Sequence, residues 1–256
     1  MRAAEEALDR IESVLRPFPR ALFVGAAAPM LRDRLTEAAG VGEVIVVAET
    51  MRLAAAAGAD LAASPEALPF AAGAFDLVVS LMSLHALDDP VRALAEARRA
   101  LKPDGLFVAL FPGERTLEEL RVALRQGEAM VTGRVAPRLM PMIAVKDGGA
   151  LLQRTGFALP VADTVTLRAR YGDPLRLLSD LRAMGETNAG AGGARGAMRR
   201  DVLAAAMSAY PRDEDGRAPA RFDLVALTGW APHESQPKPL APGSAKASLA
   251  DAFKTF

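Results

Sequence analysis

Hydrophobic positions fall along this chain in two rhythms. Leu8, Ile11 and Leu15, separated by Glu and Arg, keep the three-to-four spacing of an amphipathic helix, and Pro17 and Pro19 end it because proline lacks an N–H and its ring clashes with the preceding turn. Ala21-Leu22-Phe23-Val24 is then a continuous apolar run that stops at Gly25, and Pro29 can start a helix that carries Leu31 and Leu35. The same unit recurs. Val44 to Val47 predicts a strand, and Thr50-Met51-Arg52-Leu53 leads into an alanine-rich helix. Residues 75–80 predict a strand, 90–101 a helix, and 105–111 another strand after Lys102-Pro103-Asp104-Gly105. Uninterrupted apolar strands that alternate with helices of about a dozen residues suit a parallel sheet covered on both faces. The expected fold is α/β and doubly wound, with a mostly parallel, Rossmann-like sheet of seven strands.

The second half changes rhythm. Residues 117–130, 144–155 and 175–184 read as helices broken at Pro137, Pro141 and Pro174, which predicts a helical cover over about 114–210. Gly190, Gly192, Gly193 and Gly196 make 185–200 a loop expected to be mobile. Residues 222–230 read as a late strand that returns to the sheet and closes a single domain over 1–231. Residues 232–256 are rich in Pro, Ser and Ala without apolar period, and are expected to be a loosely ordered tail.

Composition narrows the chemistry. Of 256 residues, 51% are hydrophobic, and 31 basic side chains balance 31 acidic ones, so no net charge is left to attract nucleic acid or an acidic membrane. Without cysteine there is no disulfide, thiolate metal site or cysteine nucleophile. Only two histidines are present, His85 and His233, so no metal site is expected. No apolar stretch is long enough to span a membrane. Glu5, Glu6, Asp9 and Glu12 do not suit a leader peptide, and the expected location is cytoplasmic.

In an open parallel sheet, ligands sit beyond the carboxyl ends of the strands. Gly25 ends the first strand, and the turn that continues through Ala27 brings backbone N–H groups toward a ligand. Glu49 ends the second strand and could hold the two hydroxyls of a ribose. Ser64, Glu66 and Leu68 precede the third apolar run, which ends at Ser80. These loops outline a nucleoside pocket. His85 lies just past that run and is the candidate catalytic residue, although it could equally cap the Asp88-Asp89-Pro90 turn. Glu186 and Asn188 could close over the pocket, Asp76 reads as structural, and His233 with Glu234 reads as a surface or lid feature.

The chain resembles the class I S-adenosylmethionine-dependent methyltransferases. Val24-Gly25-Ala26-Ala27-Ala28-Pro29, Glu49, Leu68-Pro69-Phe70, Phe75-Asp76-Leu77-Val78-Val79-Ser80 and Leu101-Lys102-Pro103-Asp104-Gly105 carry the likeness over roughly residues 20 to 112. It implies S-adenosylmethionine as cofactor, with Gly25, Ala27, Glu49, Ser64, Glu66, Leu68 and Ser80 around it. Ser83-Leu84-His85, residues 111–121, residues 180–188 and residues 230–236 look like a family of mitochondrial respiratory complex I assembly factors. The best-known member of that family is described as a protein arginine hydroxylase. A similar cover occurs in the malonyl-carrier-protein methyltransferases of biotin synthesis. The resemblance implies a methyltransferase-like protein acting on a protein or carrier-protein client, such as a complex I subunit. Ala27 and Pro29 stand where the family has glycines, and Glu49 stands for its usual Asp. The resemblance also keeps an arginine hydroxylase open as a reading, and the departure keeps open an inactive scaffold with an eroded cofactor loop.

Overall fold

The structure is a computed structural model and describes residues 2–25, 32, 34, 36, 40–186 and 198–237. Ala27, Pro29, Asn188, the glycines at 190–196 and the tail from 238 lie outside the described residues, and with them the expectations placed there. The first part of the chain forms α1 (Arg2–Glu12), β1 (Phe18–Val24), β2 (Val41–Ala48), α2 (Met51–Ala57), β3 (Leu61–Ala62) and β4 (Phe75–Leu81). A 3-10 turn (Leu84–Ala86) leads to α3 (Pro90–Ala100), β5 (Leu101–Pro112), α4 (Glu118–Thr132) and α5 (Val145–Arg154). The last elements are β6 (Ala158–Tyr171), α6 (Pro174–Ala183), α7 (Arg200–Ser208) and β7 (Ala218–Trp230).

One seven-stranded sheet runs in the order β3-β2-β1-β4-β5-β7-β6. The strands from β3 to β5 are parallel, with Ala21 beside Val44 on one side and Leu77 on the other. β7 lies antiparallel to both β5 and β6. The apolar runs are continuous because both faces of the central strands are buried. Leu22 and Val24 face a cluster that includes Leu94 and Ala97 of α3 and Leu152 of α5. Ala21 and Phe23 face the opposite cluster, with Leu8 and Ile11 of α1. The Asp89 carboxylate accepts the Arg92 N–H at 3.0 Å, and Pro90 takes the first helical position, so α3 begins where the sequence marks it.

Three stretches differ from the sequence reading. The Lys102-Pro103-Asp104-Gly105 segment is a bulge inside β5 and not a separate turn. Phe75 pairs with Leu101 and Leu77 with Leu106, so the surplus residues of β5 are looped out, with Asp104 at φ 62°. The segment read as helical cover also contains β6, a 14-residue edge strand. Residues 200–208 form α7, which the sequence reading did not assign.

The cover has its own core. Leu120, Ala123 and Leu124 of α4 pack with Leu177 and Leu181 of α6, Ala206 of α7 and Tyr210. At Gly127 the two helices meet backbone to backbone, since a Cβ there would lie 2.4 Å from the Ala206 nitrogen. Gly127→Val is expected to push α7 away at a cost of about 1–3 kcal/mol, the usual overpacking range. A urea midpoint equal to wild type would contradict this contact.

The N-terminal segment belongs to the domain. Arg10 pairs with Asp163 of β6 at 2.6 Å, and Arg16 pairs with Asp104 at 2.7 Å while lying 4.9 Å from the centre of the Trp230 ring.

Candidate functional site

The carboxyl ends of β1, β2 and β4 converge at Gly25. Its N–H donates to the Val47 carbonyl at 2.9 Å, tying it to β2. On the other side a Cβ would fall 2.2 Å from the Leu81 carbonyl oxygen of β4, and φ is +118°, so only glycine fits without displacing a strand end. Glycine at the end of β1 is therefore required by packing, with or without a ligand.

Glu49 follows β2 and is half-buried. Its carboxylate accepts the Ser83 hydroxyl from the loop after β4, which fixes an acid beside Gly25. Ser83 itself is 1% exposed, and the sequence reading did not single it out for this role. Ser64 accepts the Glu66 N–H at 3.2 Å. Glu66 in turn accepts the Asp89 N–H at 2.9 Å, so its carboxylate secures the loop to the start of α3. Leu68 and Ser80 are buried and line a small cavity with Val24, Val78 and Phe107. That space is about 10 Å³, near the volume needed for one water. That volume is too small for a nucleoside.

Glu96 and Arg99 of α3 shape this loop and were not read from the sequence. Glu96 accepts the Leu68 N–H at 3.1 Å, while Arg99 donates to the Leu68 carbonyl at 3.0 Å and the Phe70 carbonyl at 2.8 Å. The Arg99 hydrogen bond holds the Glu96 carboxyl below its ordinary range against the opposing effect of burial. Their three-residue spacing on one helix face was the available signal. Asp76 is structural, as read: it accepts the Arg20 N–H and pairs with Lys102 at the opposite end of β4.

His85 sits in the 3-10 turn after β4 with its side chain 7% exposed. Its Nε2 lies 3.1 Å from Glu186 Oε1 just beyond α6, so the cover closes onto the sheet at this contact. Nδ1 is buried and has no hydrogen-bond partner among the described residues. The hydrogen bond from His85 and its charge hold the Glu186 carboxyl below the ordinary range, although burial acts the other way. A carboxyl with a lowered pKa in the fold stabilises above its unfolded pKa of about 4.3, and that contribution disappears as pH falls through the lower folded value. Acid is thus expected to loosen the tie between α6 and the β4 loop. The protection factors of the amides at residues 184–186, which remove the intrinsic pH dependence of exchange, should fall over that range in wild type, and should already be low and flat with pH in Glu186→Gln.

His233 is not part of this constellation. Its Nδ1 contacts Ser235 Oγ at 2.7 Å and its backbone N–H donates to Gln236, all within one exposed turn.

The strand order, with one antiparallel strand inserted next to the edge, gives the chain an S-adenosylmethionine-dependent methyltransferase-like fold. Residues 25–109 match the family model described as a methyltransferase domain. Arginine-hydroxylase NDUFAF5, mitochondrial, of Danio rerio is 35% identical over 254 residues, covering 96% of this chain and 79% of the relative. The chain belongs to the NDUFAF5 family. Malonyl-[acyl-carrier protein] O-methyltransferase of Laribacter hongkongensis is 38% identical over 182 residues, covering 71% of this chain and 59% of that protein. A Bacillus halodurans protein assigned to the methyltransferases shares the fold at TM-score 0.62 and 13% identity, covering 91% of this chain and all of that one.

The expectation of a cytoplasmic location is overturned, because the relatives that match along most of the chain are mitochondrial proteins. The acidic first segment reports only on α1, which is packed into the domain. Among the described residues, no helix is long and apolar enough to cross a membrane.

Proposed function

We propose that this protein binds S-adenosylmethionine over the ends of β1, β2 and β4 and modifies a protein or carrier-protein client. The observation that carries the reading is the Glu49 carboxylate, held beside Gly25 by Ser83. A carboxylate in that place can accept both hydroxyls of a ribose. The cofactor, when bound, supplies an electrophilic methyl group. The chain then has to orient the acceptor and, where the acceptor must lose a proton, provide a base.

His85 is suited to the second task. An ionised Glu186 can only accept, so Nε2 carries a proton, and in the neutral ring Nδ1 then keeps the lone pair. That nitrogen has no hydrogen-bond partner among the described residues, which leaves it free to take a proton from a substrate that reaches it. Glu186 acts through His85 as a positioning residue. The relatives named arginine-hydroxylase support a second reading, in which the client presents an arginine side chain and gains an oxygen atom from an external two-electron oxidant instead of a methyl group. The client in that reading is a respiratory complex I subunit, as the family resemblance implies.

Calorimetric titration with S-adenosylmethionine and S-adenosylhomocysteine tests the cofactor site. Wild type should bind both, and Glu49→Ala should weaken binding by about 1–3 kcal/mol, the cost of losing a charge-assisted hydrogen bond. No binding by wild type would end the reading. Mass spectrometry of a client peptide after incubation separates the two chemistries, since methylation adds a CH₂ and hydroxylation an oxygen.

A further inference from the structure

Away from the strand ends, a cavity of about 370 Å³ lies between α4 and the stretch that follows it. That volume is within the range of small-molecule sites. Arg121 and Leu124 of α4 form one wall, and Val135, Arg138 and Leu139 form the other, with exposed Arg125 at the rim. None of these residues borders the small cavity under the strand ends or takes part in the His85–Glu186 contact.

The charges in this cavity do not balance. Arg138 pairs with buried Glu128, whose carboxylate also accepts the Ala136 N–H at 2.8 Å, so this pair anchors the wall and is spent. Arg121 is different. Its Nε and Nη2 are buried and make no hydrogen bond among the described residues, and Nε of Arg138 is likewise unpartnered. Neither Arg121 nor Arg125 has an acidic partner there; the nearby Glu118 is engaged by Arg115 at 3.0 Å, and Glu119 accepts the Arg221 N–H at 3.1 Å. A guanidinium cannot shed its proton to escape burial, and buried donors without acceptors are strongly disfavoured. Such a group, facing a cavity with apolar walls, is what an absent oxyanion with a hydrocarbon body would complete.

We propose that this cavity is a binding site for an amphiphilic oxyanion, a carboxylate or phosphate ester whose head meets Arg121 and whose body lies against Leu124, Val135 and Leu139. The site is independent of the cofactor reading, because it shares no residue with it.

Calorimetry with sodium hexanoate, n-hexyl phosphate and inorganic phosphate on the full chain tests the site. At least one hexyl probe should bind wild type more tightly than inorganic phosphate does, and Arg121→Gln should weaken it by about tenfold or more. Preference for hexyl phosphate identifies the head as phosphate, and preference for hexanoate identifies it as carboxylate. Arg121→Gln removes a cation that has no acidic partner among the described residues, so its thermal melting should match or exceed wild type. If that variant does not fold, Arg125→Gln at the exposed rim should weaken the same probe. Failure of both hexyl probes to bind, or equal binding by wild type and the folded variant, would overturn the proposal. S-adenosylmethionine titrated into the same variant should bind as in wild type, which keeps failure here distinct from failure of the cofactor site.

Discussion

Gly25→Ala is expected to be among the most damaging single-atom changes available in this chain. A methyl group at that position would sit 2.2 Å from the Leu81 carbonyl oxygen, on a backbone whose φ of +118° already disfavours any side chain. Neither neighbour can yield cheaply. Gly25 is tied to Val47, and β1 is paired to β2 from Phe18 to Val24 and to β4 from Ala21 to Val24. Backbone strain of about 1–3 kcal/mol and overpacking of similar size together give an expected loss of about 4 kcal/mol. Urea unfolding measures it. Cofactor binding should fall with it even under conditions where the variant remains folded, because the ends of β1 and β4 must separate. A midpoint within error of wild type would show that the strand ends are not packed as described.

Phe75→Ala is the second. The Phe75 ring is fully buried, meets Phe70 edge-on at 5.0 Å and lies 5.3 Å from the Arg20 guanidinium. Truncation of a buried phenylalanine costs about 3–5 kcal/mol. The loss here should also reach the site, since Phe70 belongs to the loop that Glu96 and Arg99 hold. Phe18→Ala is the control. It is equally buried but lies on the opposite face of the sheet, so it should cost similar stability without weakening cofactor binding in the folded protein. Equal affinities in the two variants would separate the loop from the ligand.

The parallel half of the sheet was legible because burial on both faces leaves an uninterrupted apolar run, as in Ala21 to Val24 and residues 75–80. Start signals were legible too, since Asp89-Pro90 and Thr50 act through local hydrogen bonds that need no knowledge of the fold. β6 was not legible, for two reasons. It is an edge strand with only partial burial, and its alternation changes phase at Asp163-Thr164, so even-numbered residues face inward before that point and odd-numbered ones after it. The period of two in Val165, Leu167, Ala169 and Tyr171 was the usable signal. At the site, Gly25, Glu49 and His85 could be named because strand ends mark them. The partners of Glu49 and His85, Ser83 and Glu186, depend on distant segments meeting, which sequence spacing does not encode. Glu66 illustrates the converse: its position near the pocket was legible, but not that its carboxylate is engaged by the Asp89 N–H.

The place of β7 has a consequence for how the chain can be made. Among the described residues it is the last strand in sequence, yet it lies between β5 and β6, pairing Leu106 to Pro112 on one side and Ala158 to Tyr171 on the other. Until residues 218–230 leave the ribosome, β6 has no sheet to join, and β5 presents a bare hydrogen-bonding edge flanked by Phe107 and Leu110. Pairings of such long sequence separation form slowly. Assembly therefore ends with an insertion and not with an addition at the rim, and a chain cut short before residue 218 would keep the parallel half of its sheet while leaving a sticky edge for another chain to occupy.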